Sequence, residues 1–147
     1  MKRSPALRTL SHDHHQSLVI ALALIRGGDE SAGAAALRWW RHDGLTHFEV
    51  EEQILLPAWQ RACPEADMGM VTRVLAEHAM IRAGFNELES VGLAVSDVTG
   101  LGLTLQRHVR FEERVLFPAI EESMGEPALG QLAEEIEAAE STGCGAR

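Results

Sequence analysis

Two segments of the sequence carry the same pattern of metal-binding residue types. Residues 47–58 and 108–119 lie 61 positions apart, and six of their twelve aligned positions are identical. The identical positions include a histidine followed four residues later by a glutamate: His47 with Glu51, and His108 with Glu112. Iron, manganese and zinc accept imidazole nitrogen and carboxylate oxygen as ligands in proteins. The repeat therefore indicates a metal site between the two segments.

The spacing of four within each pair places the histidine and the glutamate on one face of a helix. That face continues through Leu55 in the first segment and Leu116 in the second, so it is expected to point into the core. A buried carboxylate without a partner is costly, and a cation between the segments would remove that cost. The next glutamates, Glu52 and Glu113, are turned by about 100° and are expected to be solvated.

Two further acid–histidine steps extend the set of candidate ligands to the other helices. His78 follows Glu77 and continues an apolar face with Ile81 and Phe85. In the first helix, His14 shares a face with Leu10 and Leu18, and its neighbour His15 shares one with Val19 and Leu22, so both are retained. The candidate metal ligands are His14, His15, His47, Glu51, His78, His108 and Glu112.

The helical patterns predict an all-α protein, an antiparallel up-down four-helix bundle with an additional short C-terminal helix. Ser4-Pro5 is typical of a helix start, and Gly27-Gly28 of a helix end. Residues 1–147 are read as a single domain, with the bundle at about 4–124, the short helix at about 127–140 and a disordered tail at 141–147.

Two prolines occupy matched positions inside their helices. Pro57 and Pro118 should each bend the helix, because a proline in a helix interior destabilises a straight helix by about 3 kcal/mol. The sequence therefore predicts a paired bend.

Trp39 and Trp40 are adjacent in the second helix, so we expect that only one of them faces inward. The other would line a subunit contact, which makes a homodimer an expectation.

Charge and hydropathy argue against several classes of partner. The net charge is −9, from 13 basic and 22 acidic residues, which leaves no basic stripe for nucleic acid. The longest apolar run, residues 18–25, is far shorter than the roughly 20 residues of a membrane helix.

The two cysteines make no disulfide framework, so a cytoplasmic location is expected.

From Leu10 through Pro118 the sequence resembles the hemerythrin-like, or HHE cation-binding, family. The repeated histidine–glutamate segments and the Glu77-His78 step carry the resemblance. It implies a four-helix bundle around a non-haem di-iron centre with oxo or hydroxo and carboxylate bridges. Its implied terminal ligands are His14 or His15, His47, His78 and His108, and its implied bridges are Glu51 and Glu112.

One position departs from the oxygen-carrying members of that family. They have a second histidine one turn before the third-helix ligand, and this chain has Val74 there. The resemblance therefore implies a more open centre that would react more readily with peroxide, nitric oxide or oxygen. We expect the protein to bind or sense oxygen or nitric oxide, or to handle iron. Alternatives are a di-iron oxidoreductase or a metal-stabilised structural module, and zinc or manganese in place of iron.

Overall fold

The computed structural model describes residues 2–27, 29–92 and 95–143. Within these ranges the regular secondary structure is helical, which confirms the predicted all-α fold. The five helices in the described ranges are α1 (Pro5–Arg26), α2 (residues 30–62), α3 (Met68–Ser90), α4 (residues 95–123) and α5 (Glu126–Gly143). None of them is long and apolar enough to cross a membrane.

The ends of the helices follow local sequence signals. Pro5 is the first residue of α1, where its missing N–H costs nothing. The side chain of Asp29 accepts a hydrogen bond from the Ala32 amide at the start of α2, and that of Asp67 accepts one from Gly69 at the start of α3. These caps set the short connections that make successive helices antiparallel.

The C-terminal helix is longer than expected. Residues 141–143 were expected to be disordered, but α5 continues to Gly143. The helix-favouring residues Ala138, Ala139 and Glu140 precede them without a break, which explains the extension. The rest of the expected tail, 144–147, lies outside the described residues. Helix α5 packs against α1 and α2 on the outside of the bundle and buries Leu132 and Ile136.

The bundle core consists of two apolar clusters rather than one. The first cluster includes Leu10, Leu55, Val74 and Phe117, and the second includes Leu24, Trp40, Phe85 and Leu105. Each of α1 to α4 contributes to both clusters and carries a buried histidine near the point where its contribution changes from one cluster to the other. The interior is therefore divided by a polar layer, and burial of the two clusters holds that layer in place.

Helices α2 and α4 are interrupted by π turns next to the matched prolines. The turns span Glu51–Leu55 and Glu112–Leu116, and each begins at a candidate ligand. At their ends the Leu56 amide donates to the Glu51 carbonyl, and the Phe117 amide donates to the Glu112 carbonyl. The following proline has no N–H, so a locally widened turn accommodates it. The paired bend predicted from Pro57 and Pro118 corresponds to these two matched π turns.

The tryptophan pair is internal, and the expectation that only one faces inward is wrong. Trp39 and Trp40 are both buried at the start of a third π turn, Trp40–Gly44. Trp40 stacks on Phe85 with ring centroids 4.6 Å apart. A Cβ on Gly44 would lie 2.7 Å from the Trp40 ring and 2.9 Å from the Trp39 ring, so this glycine makes room for both. The observation that suggested a homodimer therefore has another explanation.

Two glycines of α4 give a matched test of how closely α1 and α4 approach. A Cβ on Gly102 would lie 2.8 Å from the Ala21 carbonyl oxygen, whereas one on Gly100 would meet nothing within 4 Å. We expect Gly102→Ala to lower the free energy of unfolding by about 1–3 kcal/mol through overpacking. Gly100→Ala should raise it by about 0.5–1 kcal/mol. Urea denaturation measures both, and equal effects would contradict the close approach.

Candidate metal centre

Six ionisable side chains form the polar layer that separates the two apolar clusters. They are His14 from α1, His47 and Glu51 from α2, His78 from α3, and His108 and Glu112 from α4. The most exposed of them, His47, has 6% of its surface accessible, and the exposed fraction is 0% for His78, His108 and Glu112. Charged side chains are almost never buried to this extent unless they are paired or bind a metal.

The layer contains two groups of four residues that share both glutamates. His14 and His47 belong to one group, His78 and His108 belong to the other, and Glu51 and Glu112 belong to both. Within each group, the four ligand atoms lie within 4.8 Å of one another. Each group therefore has the composition and compactness of a site for one metal ion.

The shared glutamates direct one carboxylate oxygen to each histidine pair. Glu51 Oε1 lies 3.1 Å from His47 Nε2, and its Oε2 lies 3.2 Å from His78 Nε2. Glu112 Oε2 lies 3.0 Å from His14 Nε2, and its Oε1 lies 3.1 Å from His108 Nε2. Because the two oxygens of each carboxylate face different histidine pairs, each carboxylate could contact an ion held by either pair.

The inward atoms of the layer lack hydrogen-bond partners within the described chain. This applies to Nε2 of His14, Nε2 of His47 and all four carboxylate oxygens of Glu51 and Glu112. Native interiors pair nearly all such atoms, because a buried unsatisfied polar group costs about 1–3 kcal/mol. A cation in each group would be the partner for these atoms, so the residues present fit a metal pair.

The outward nitrogen of each histidine contacts a carboxylate from another helix. The contacts of Nδ1 are His14–Glu113 at 2.6 Å, His78–Glu52 at 2.8 Å, His108–Glu77 at 2.8 Å and His47–Asp13 at 3.4 Å. An ionised carboxylate can only accept, so Nδ1–H donates, and loss of the second ring proton would leave an Nε2 lone pair directed at the centre. Nε2 of His78 and Nε2 of His108 lie 3.0 Å apart, a separation that suits a hydrogen bond when one ring carries the proton, or a cation beside both nitrogens when neither does.

The expectation that Glu52 and Glu113 are solvated is wrong. Their side chains are only 22% and 24% exposed, and they orient His78 and His14. A residue turned by 100° from an inward ligand points toward the neighbouring helix in a four-helix bundle, not toward water. The sequence carried a signal for this role, because all four orienting carboxylates are adjacent in sequence to a candidate ligand.

Three of the four orienting carboxylates are also held by an arginine. Arg3 Nη2 lies 2.7 Å from Glu113, Arg82 Nη1 lies 2.6 Å from Glu52, and Arg73 Nε lies 2.8 Å from Glu77. Each of these arginines also lies over a phenylalanine ring. Asp13 pairs with no arginine or lysine in the described part of the chain, and its side chain is 42% exposed. His47 is therefore the least firmly oriented of the four histidines.

The alternative first-helix ligand, His15, lies outside the layer. It follows His14 by one residue, so its ring is turned away by about 100° and is exposed to solvent. His14 is the α1 residue that joins the two groups of ligands. Val74, at the position of the additional family histidine, is fully buried in the first apolar cluster. Each group consequently has two histidines.

Without a metal, the layer attracts protons strongly. Burial lowers the pKa of His47, but the negative charge of Glu51 and the hydrogen bond to Asp13 outweigh it and raise this pKa to about 9. Burial likewise opposes charging of His108, yet Glu112 raises its pKa to about 10. Burial also opposes ionisation of Glu51, and the positive charge of His47 nevertheless holds its pKa low. The ionised carboxylates of Glu51 and Glu112 therefore favour positive charge at the centre.

Comparison with known proteins gives one family match. A family model described as the hemerythrin HHE cation binding domain matches residues 7–120, a segment that contains all six residues of the layer. No match to the chain was found among curated proteins or among solved structures.

The orienting carboxylates give a mutational test of the layer. We expect Glu52→Ala and Glu113→Ala each to weaken metal binding by about 10–100-fold, because the freed imidazole loses its orientation and tautomer. Glu49→Ala is the matched control, since Glu49 is exposed on α2 between His47 and Glu51. Competition titration with a chromophoric chelator measures the affinity, and equal affinities for all three variants would contradict the orienting role.

The raised histidine pKa values predict opposite pH dependences for stability and metal binding. Protonated His47 and His108 stabilise the metal-free fold below pH 6.5, and this contribution is lost as pH rises through about 9 and about 10. Metal must displace these protons, so its affinity should increase over the same interval. Thermal unfolding and zinc titration across this range would check both trends, and an affinity that falls with rising pH would disprove the assignment.

Proposed function

The chain belongs to the hemerythrin HHE cation-binding family, and from this premise we propose that its buried layer holds two metal ions as a non-haem di-iron centre. One ion would be held by His14 and His47, and the other by His78 and His108. Glu51 and Glu112 would bridge them. The observation that supports this proposal is the orientation of the two carboxylates. In both Glu51 and Glu112, one oxygen faces His14 and His47 and the other faces His78 and His108.

Iron is the metal that we propose, on the grounds of the family and of the donor set. The layer offers four imidazole nitrogens and four carboxylate oxygens, a set that iron binds readily and that contains no thiolate. Zinc and manganese accept the same donors, so either metal in their place is an outcome that the experiment below distinguishes.

The number of protein donors supports binding of a small external ligand. Each ion would receive two imidazoles and two bridging oxygens, which leaves coordination positions free on a metal that takes up to about six donors. A di-iron pair of this kind supplies one-electron chemistry and an exchangeable position to oxygen, nitric oxide or peroxide. We propose that the protein binds or senses such a ligand, or handles iron.

The chain itself contributes orientation and exclusion of water. The carboxylates on Nδ1 hold each imidazole in the tautomer whose Nε2 faces the centre. The two apolar clusters seal the layer from above and below, so water reaches it only from the sides of the bundle. We place the protein in a reducing cytoplasm, where the free thiol of Cys63 would persist.

The experiment that tests the proposal is metal analysis of protein made in iron-replete medium, together with an absorption spectrum. We expect two irons per chain, with near-ultraviolet bands of an oxo-bridged pair. Glu51→Ala and Glu112→Ala should each lower the content toward zero, because each removes a donor from both ions. Glu122→Ala is the control, since Glu122 is exposed on the same helix as Glu112.

Other results would identify the alternatives. Two zinc ions, with no change on exposure to oxygen, nitric oxide or peroxide, would indicate a structural metal site. Sustained consumption of peroxide or oxygen with a reductant would indicate a di-iron oxidoreductase. Unchanged metal content in the Glu51→Ala protein would contradict the bridging arrangement.

A further inference from the structure

A cleft at the seam of α1 and α2 reaches one edge of the polar layer. Its volume is about 370 Å³, and its lining includes Asp13, Gln16, Trp39, Asp43 and the candidate ligand His47. Two other clefts in the described part of the chain contain no candidate ligand: one lies around Cys63 and the other around Gly33. Of these three clefts, the one at the α1–α2 seam is therefore the one that borders a ligand of the centre.

The two histidine pairs differ in how far they are closed off from solvent. His78 and His108 have no accessible surface, and Phe48 stacks on the His78 ring at a centroid distance of 3.7 Å. His47 keeps 6% of its surface accessible and borders the cleft. The pair formed by His14 and His47 thus lies nearer to solvent than the pair formed by His78 and His108.

One member of this pair, His47, is held less firmly than the other three histidines of the layer. His47 contacts Asp13 at 3.4 Å, whereas His108 contacts Glu77 at 2.8 Å. Glu77 is anchored by Arg73, but Asp13 pairs with no basic side chain in the described residues. His47 can therefore leave its position at a lower cost than His108. The lining also includes the acids Asp13 and Asp43 and the histidines His12 and His15, whose side chains can contact a passing cation.

We infer that metal ions enter and leave the centre through this cleft, past Asp13 and His47. The ion beside His14 and His47 exchanges first, and the ion beside His78 and His108 is retained. This inference rests on the proposed metal pair and adds to it a route and an order of exchange. Asp13 acts as a positioning residue, because it sets how easily His47 swings away.

Release of iron to a chelator tests the route and the order. Protein loaded anaerobically with Fe²⁺ is first analysed for metal content and then mixed with excess colorimetric ferrous chelator. We expect two phases of equal amplitude. Asp13→Ala should accelerate the fast phase several-fold, and the matched variant Glu77→Ala should accelerate only the slow phase. A single phase in the unmodified protein, or acceleration of the slow phase by Asp13→Ala, would overturn the order.

A blocking variant tests the cleft without touching a ligand or its partners. Gln16 is exposed on the wall of the cleft, so Gln16→Trp should fill it and slow the fast phase about five-fold or more. Leu22→Trp is the control, because Leu22 is exposed on α1 and does not line the cleft. Equal release rates for the two tryptophan variants would overturn the route.

The metal content measured before chelation separates this inference from the proposed function. Loading of one ion per chain would contradict the metal pair and the order of exchange. The cleft would still be supported if release of that single ion were slowed by Gln16→Trp and not by Leu22→Trp. Two ions that leave at one rate in every variant would contradict the inference alone.

Discussion

The structure depends on one electrostatic constraint, which is that two carboxylates and four imidazoles lie together in an apolar bundle. Ionised groups removed from water are costly unless opposite charge or hydrogen bonds compensate. The inward oxygens of Glu51 and Glu112 have no hydrogen-bond partner in the described chain, so the compensating positive charge must come from protons on the histidines or from metal ions. The raised pKa values of the histidines show that the metal-free protein takes up protons to meet this demand. Metal ions held by these residues would supply the same positive charge, so metal binding and folding should be linked.

The surroundings of the layer serve to hold its donors in place. Three relays run from an arginine through a glutamate to a histidine, and each connects residues from different parts of the chain. Such relays fix the imidazole orientation before any metal binds. The fourth carboxylate, Asp13, has no arginine and lies beside a cleft, so His47 is held less firmly than the other three histidines and is the one nearest to solvent. This asymmetry arises from residues around the ligands, because each histidine pair offers the same donors.

Much of the fold and of the inner layer could be predicted from the sequence. The 61-residue repeat identified His47, Glu51, His108 and Glu112, because helical spacing of four fixes a shared face whatever the tertiary packing. The roles of Glu52 and Glu113 were not predicted, since whether a flank of a helix meets water or another helix depends on how the helices are arranged. The burial of both Trp39 and Trp40 was missed for a related reason. It depends on a π turn and on the space left by Gly44. The expectation assumed a regular α-helix, in which adjacent residues differ by about 100°, and therefore allowed for neither.

The central claim is that two ions lie between Glu51 and Glu112, one beside each histidine pair. Anomalous diffraction at the iron edge, from crystals of protein produced in iron-replete medium, tests it most directly. We expect two anomalous peaks, one next to His14 and His47 and the other next to His78 and His108, with both carboxylates contacting both peaks. A single peak, or ordered density for water in place of metal in both groups, would contradict it.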